Sequence, residues 1–161
     1  MMPITQAIPR KRFVMHIVMG SDHAGPELKS HIKQHLEANG HTVNDVGTDS
    51  TASCDYPDYA EKAARIVAAG EADLGILICG SGVGIGIAAN KVHGIRCVTC
   101  SEPYSARMAR AHNNANMLSM GARIVGPDLA LMIVDEFVNG VFDGDRHARR
   151  VGKINALDDT R

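Results

Sequence analysis

The sequence predicts an α/β fold, a Rossmann-like three-layer α/β/α sandwich built on a five-stranded parallel sheet. Three observations predict it. Short apolar runs alternate with segments of helical period five times along the chain, and right-handed crossovers turn that alternation into a parallel sheet covered on both faces. Hydrophobic residues make up 45% of the chain but aromatics only 4%, with no Trp, so the core must be built from Val, Ile, Leu, Met and Ala, as in helix-covered parallel sheets. With 161 residues, 22% of them charged, the chain is long enough and ordinary enough in composition for one domain to fold without disulfides or a structural metal.

The elements follow in order. Val14 to Met19 is an apolar run ending at Gly20 and reads as a buried strand. From Pro26 the residues Leu28, Ile32 and Leu36 recur at i, i+4 and i+8, and Gly40 supplies a helix stop. His41 to Val46 is a weaker strand, followed by a helix from Pro57 to Ala69 that stops at Gly70. Leu74 to Cys79 is the most hydrophobic strand and is expected at the centre of the sheet. A helix from about Gly84 to Lys91 follows its glycine loop. Ile95 to Cys100 is the next strand, and Ser101 and Pro103 open a helix to about His112. Met117 to Met120 is the fifth strand, and Pro127 to Asn139 the fifth helix. Residues 1–13, with Pro3, Pro9 and the run Arg10, Lys11, Arg12, lack periodicity and read as a flexible N-terminal extension. Residues 14–161 form the single domain, with a polar, basic segment over 141–161 that caps the domain or reaches a neighbouring subunit.

Composition excludes several function classes. A net charge of −1 leaves no electrostatic footprint for nucleic acid or an anionic membrane, so any anion site is local and the expected ligand small. The longest uncharged stretch, Leu74 to Asn90, is broken by five glycines and is shorter than the roughly 20 apolar residues of a membrane span. Four cysteines (Cys54, Cys79, Cys97, Cys100) do not make a secreted disulfide framework, and nothing resembles a signal peptide, which points to a reducing, cytoplasmic setting.

The richest chemistry lies in Cys79, Gly80, Ser81, Gly82, Val83, Gly84, between the best strand and a helix. Backbone N–H groups and the helix dipole there form an anion-binding concavity. Named motifs fail against it. A dinucleotide fingerprint needs Gly where Ile85 stands, a Walker A loop needs Gly-Lys-Ser/Thr where Ile87, Ala88 and Ala89 stand, and a nucleophile elbow needs Gly at Cys79. The glycines serve either a tight turn alone or a nest for a developing oxyanion. Cys79 beside the helix start is either inert packing or a thiolate, available as nucleophile or base.

Ligands of such sheets bind beyond the C-terminal strand ends, where the loops after strands one, three and four converge. Asp22 and His23 follow the first strand at that edge; the plain alternative is Asp22 capping the next helix. His112 and Asn113 end the fourth helix, where imidazolium is favoured and a general acid is plausible. Arg146 and Arg150 lie four apart and share a face if their segment is helical, a fork suited to phosphate that Arg123 can join; singly, each reads equally as a surface charge. Cys97 and Cys100 match C-x-x-C but fall in a strand, where i and i+3 point to opposite faces, against redox or zinc use. His31 and His35 read as solvated on a polar helix face. No metal site is expected.

With these residues in view, the sequence resembles ribose-5-phosphate isomerase type B, in the family that also holds the galactose-6-phosphate isomerase subunits. The likeness runs through Gly20-Ser-Asp-His-Ala-Gly25, Asp55-Tyr-Pro-Asp-Tyr-Ala60, Ile78-Cys-Gly-Ser-Gly-Val-Gly84, Cys100-Ser-Glu-Pro-Tyr-Ser-Ala106, Gly121-Ala-Arg-Ile-Val-Gly126 and Arg146-His-Ala-Arg-Arg-Val151. It implies interconversion of an aldose and a ketose phosphate through an enediolate, in pentose phosphate metabolism, without metal or organic cofactor. By the resemblance, Cys79 is the base moving a proton between C1 and C2, while the backbone of Gly80 to Gly84 steadies the enediolate oxygens. His112 opens the furanose ring, Asp22 and Tyr56 hold sugar hydroxyls, and Asn113 the reacting oxygens. His23, Arg123, Arg146 and Arg150 match phosphate-binding positions. The resemblance further implies a homodimer or tetramer with the active site shared across the interface, His112 and the C-terminal arginines serving a partner's Cys79. Two other functions remain open at this stage: isomerisation of a six-carbon sugar phosphate such as allose 6-phosphate or galactose 6-phosphate, and a non-catalytic nucleotide-binding module.

Overall fold

The computed structural model describes residues 13–160. Of the extension expected over 1–13, only Phe13 falls among them; the rest lies outside the described residues.

The parallel strands are β1 (His16–Ser21), β2 (Thr42–Asp45), β3 (Leu74–Cys79), β4 (Cys97–Thr99) and β5 (Met117–Gly121), in the spatial order β2-β1-β3-β5-β4. The helices are α1 (Pro26–Ala38), α2 (Tyr56–Ala68), α3 (Val83–Ala89), α4 (Pro103–Asn113), α5 (Pro127–Val138) and α6 (Asp145–Ala156), with a 3-10 turn at Asp158–Thr160. This is the expected five-stranded α/β/α sandwich, with the all-buried β3 at its centre. The sheet buries both faces. Ile17, Met19, Ile76, Ile78 and Leu118 pack under α1, α4 and α5, whereas Val18, Leu77, Cys79 and Met117 pack under α2 and α3. Alternation of side chains along each strand divides them in this way. No helix of the described residues is long and apolar enough to cross a membrane.

Most boundaries follow their punctuation: Pro opens α1, α4 and α5 at the first helical position, and Gly40 and Gly70, both at positive φ, follow α1 and α2. β1 runs two residues beyond its expected end because Gly20 and Ser21 still pair with Leu77 and Ile78. Gly20 is needed within the strand, where α2 presses close enough to put the Tyr59 carbonyl 3.2 Å from a would-be Cβ. The basic C-terminal segment forms α6, which packs on α4 through the buried His147 and Val151.

Two polar side chains of α1 are tied down, one of them the His35 expected in solvent. His35 is half-buried and meets Asp135 of α5 at 2.7 Å, because α1 and α5 lie side by side on one face; only His31 of that pair is exposed. Lys29 is 1% exposed and donates to the Thr48 carbonyl at 2.7 Å, with Asp45 and Asp49 at 3.0 and 2.9 Å. It pins the loop after β2 to α1, and the hydrogen bond from Lys29 holds the Asp49 carboxyl below its ordinary range. Lys29→Met is expected to cost about 1–3 kcal/mol, since it removes the buried ammonium's bond to the Thr48 carbonyl and its pairing with the half-buried Asp45. Thermal unfolding checks this. Because the folded-state Asp49 value is lowered, its stabilisation is present above the ordinary aspartate range and lost as pH falls through it, and the variant should flatten that acid limb.

Candidate active site

Parallel strands end together, so the C-terminal edge of the sheet gathers the loops after β1, β3 and β5. The strand order decides the third of these: β5 lies between β3 and β4, so its loop adjoins Cys79 directly. The Ala122 amide donates to the Cys79 carbonyl at 2.9 Å and the Arg123 amide to the Gly80 carbonyl at 3.1 Å. The end of β4 also reaches the loop, since the Thr99 hydroxyl lies 2.8 Å from the fully buried Ser119 hydroxyl and 3.4 Å from the Gly82 carbonyl.

Cys79 ends β3 with its side chain 5% exposed, and the Gly82 amide donates to its Sγ at 3.2 Å. This backbone donor fixes the sulfur at the mouth of the glycine loop. Gly82 achieves this at φ +79°, pressed so closely on Met120 that a Cβ would sit 2.6 Å from its carbonyl carbon. Gly84 is equally constrained: a Cβ there would lie 2.7 Å from the Tyr56 ring. The glycines therefore serve close packing as well as backbone exposure, and Tyr56, at the start of α2, is brought over the loop. The Arg123 guanidinium lies over Gly80, with Nη1 3.3 Å from the position a Cβ would take. Within the loop the Val83 amide meets the Ser81 hydroxyl at 3.3 Å.

After β1, the Asp22 carboxylate accepts the Ala24 amide at 2.9 Å, and the Asp22 amide donates to the Ile78 carbonyl. The residue is 5% exposed. It closes its own turn instead of capping α1, whose N-cap is Gly25 without a side-chain bond. His23 Nδ1 accepts the Cys54 amide at 3.3 Å, and Cys54 Sγ lies 3.9 Å away. Asp22, His23, Tyr56, Cys79 to Gly84 and Arg123 thus share one sheet edge.

His112 and Asn113 do not join them. α4 begins at the C-terminal strand edge and runs back along the sheet for 11 residues, about 16 Å. Its end lies beside the start of β4, where Arg96 donates to the carbonyls of Asn113 and Asn114 at 3.1 and 2.8 Å. The Asp143 amide donates to the Ala111 carbonyl at 2.9 Å and brings the start of α6 to the same place. There the His112 and His147 rings stack with centroids 4.2 Å apart and planes 3° from parallel. Arg146 and Arg150, exposed and one turn apart, lie beside them as the helical reading requires. Burial, then the neighbouring His112 and the two arginines, hold the His147 imidazole below its ordinary value, with Asp143 opposing.

Ligand atoms of His112, Asp143 and His147 lie within 4.8 Å of one another, the one such cluster among the described residues. The lone pairs of stacked rings lie in two parallel planes and do not converge on one point, however, which does not suit a shared ion. Cys97 and Cys100 belong to opposite core faces, as expected, and burial pushes their thiols up to about 12 and about 11. All four cysteines are free.

Sequence reasoning assigned no part to Thr99, Ser119, Cys54, Asp143 or His147. The available signal was slight: His147 and Val151 stand four apart inside a basic run, the spacing of a buried helix stripe.

The chain matches, over residues 17–154, the family model described as Ribose/Galactose Isomerase. It is 52% identical to ribose-5-phosphate isomerase B of Escherichia coli, over 90% of this chain and 97% of that one. It is 41% identical to the D-erythrulose-4-phosphate isomerase of Pectobacterium atrosepticum, over 88% and 93% of the two chains. Among solved structures, ribose-5-phosphate isomerase B of Clostridium thermocellum superposes with a TM-score of 0.89 at 52% identity, covering 91% of this chain and 99% of that one.

Proposed function

This chain belongs to the ribose/galactose isomerase family and is an aldose–ketose isomerase, and from that premise we propose that it interconverts D-ribose 5-phosphate and D-ribulose 5-phosphate through an enediolate. The observation that carries the reading is Cys79 Sγ at the end of the central strand with the Gly82 amide donating to it. Cys79 takes the proton from C2 of the open-chain aldose and returns it to C1, while backbone amides of Gly80, Ser81, Gly82, Val83 and Gly84 steady the enediolate oxygens. Asp22 and Tyr56 hold sugar hydroxyls. His23 and Arg123 bind phosphate from the same edge, and no metal or organic cofactor is needed for the proton transfer.

His112 acts on the furanose ring, Asn113 holds the reacting oxygens, and Arg146 with Arg150 completes the phosphate site. Because these four lie at the opposite sheet edge from Cys79, they serve the Cys79 of a second copy, in a homodimer or tetramer. The exposed Val83 and Ile87, one turn apart on α3 beside the loop, offer an apolar surface for that copy. Four free cysteines suit a reducing compartment, the cytoplasm, and the reaction is one of pentose phosphate metabolism. The nucleotide-binding module considered from sequence is displaced by membership of an enzyme family.

Chain length of the sugar is decided by the span from Cys79 Sγ to the arginines. We expect kcat/KM for ribose 5-phosphate to exceed that for allose 6-phosphate and galactose 6-phosphate by about 10-fold or more, a methylene's worth of misfit or greater. A higher value for either six-carbon substrate would transfer the assignment to it.

A further inference from the structure

We propose that His147 is a positioning residue for ring opening: its imidazole, stacked plane on plane against His112, holds that ring in the orientation from which it serves the furanose oxygen. The inference rests on the reading of His112 as the ring-opening group.

Ring opening moves one proton. The C1–O4 bond breaks, O4 takes the proton carried by the imidazole, C1=O1 forms, and the O1 proton passes back to the ring nitrogen. The step demands a fixed ring plane and a neighbour that does not compete for the proton. His112 ends a helix and is half-exposed, so nothing on α4 alone fixes its χ2 rotation. Asp143 does not fix it either, since its carboxylate is 3.9 Å from Nε2, beyond a hydrogen bond. The parallel stack at 4.2 Å is the contact that remains. His147 can supply it because it is itself anchored, 8% exposed and paired with Val151 against α4.

The charges facing His147 suit the second demand. His112 from α4 and Arg146 and Arg150 from its own helix oppose a proton on it, and only Asp143, from the loop before α6, favours one. Burial and these charges hold the His147 imidazole low, so it does not compete with His112 for the proton.

Turnover from two directions tests the role. Ribose 5-phosphate closes to a furanose; ribulose 5-phosphate has its C5 oxygen esterified and stays open. Loss of a positioned acid–base group should lower kcat from ribose 5-phosphate about 10- to 100-fold in His147→Ala, with the rate from ribulose 5-phosphate held within about threefold. His147→Phe, which keeps a flat partner, should recover most of the ribose rate and guards against simple unfolding. An equal fall in both directions, or no fall in either, overturns the proposal. Failure of the underlying reading is separate: there, His112→Ala would leave both rates unchanged.

Discussion

In Cys79→Ala, turnover of ribose 5-phosphate falls by about 10²- to 10⁴-fold, the scale of a removed general base, while the sugar phosphate still binds. The residue ends the central strand β3, and the change removes one buried atom whose partner is the Gly82 amide. The loop around it is held independently, by the Ala122 and Arg123 amides on the carbonyls of Cys79 and Gly80 and by the packing of Gly82 on Met120. The proposed phosphate contacts come from other residues, so calorimetric binding should persist within several-fold. Full activity in this variant would remove Cys79 from the mechanism. Loss of binding together with activity would make it structural.

Mixing two inactive variants should restore activity. Cys79→Ala and His112→Ala each spoil every site in a pure oligomer. If the site takes Cys79 from one copy and His112 from another, a mixed dimer carries one intact and one doubly defective site. Random reassortment then yields about a quarter of the wild-type sites, half the dimers being mixed and half their sites intact. The geometry behind this is the run of α4 from one sheet edge to the other, which keeps the two side chains of a single chain apart. The test is refolding or dissociation of the mixture followed by assay. Recovery no greater than that of either parent would place both groups in one chain's site, and would require another path for His112 to reach it.

Much of this was legible in residue order. Leu74 to Cys79 announced the central strand because only a strand buried on both faces tolerates six apolar residues in succession. Proline and glycine punctuated the helices for local steric reasons that do not depend on the rest of the fold. Cys79 stood out because a thiol at a strand end before glycines has few purely local explanations. His35 was misplaced as a solvated residue, and the burial of Lys29 went unread, because both are set by α1 meeting α5 and the β2 loop, contacts with no sequence signature.

The sequence by itself determined the α/β alternation, the central strand, the approximate limits of the first five helices and the place of the glycine-rich loop after Cys79, all consequences of local sterics and side-chain periodicity. Only the tertiary structure decided that β5 separates β3 from β4 and so brings Arg123 over Gly80. It alone decided that Tyr56 needs a glycine beneath it at position 84, and that His112 stacks on His147 at the far edge from Cys79. Those facts depend on strand order and helix direction in space, which long-range packing selects and no short window of sequence records.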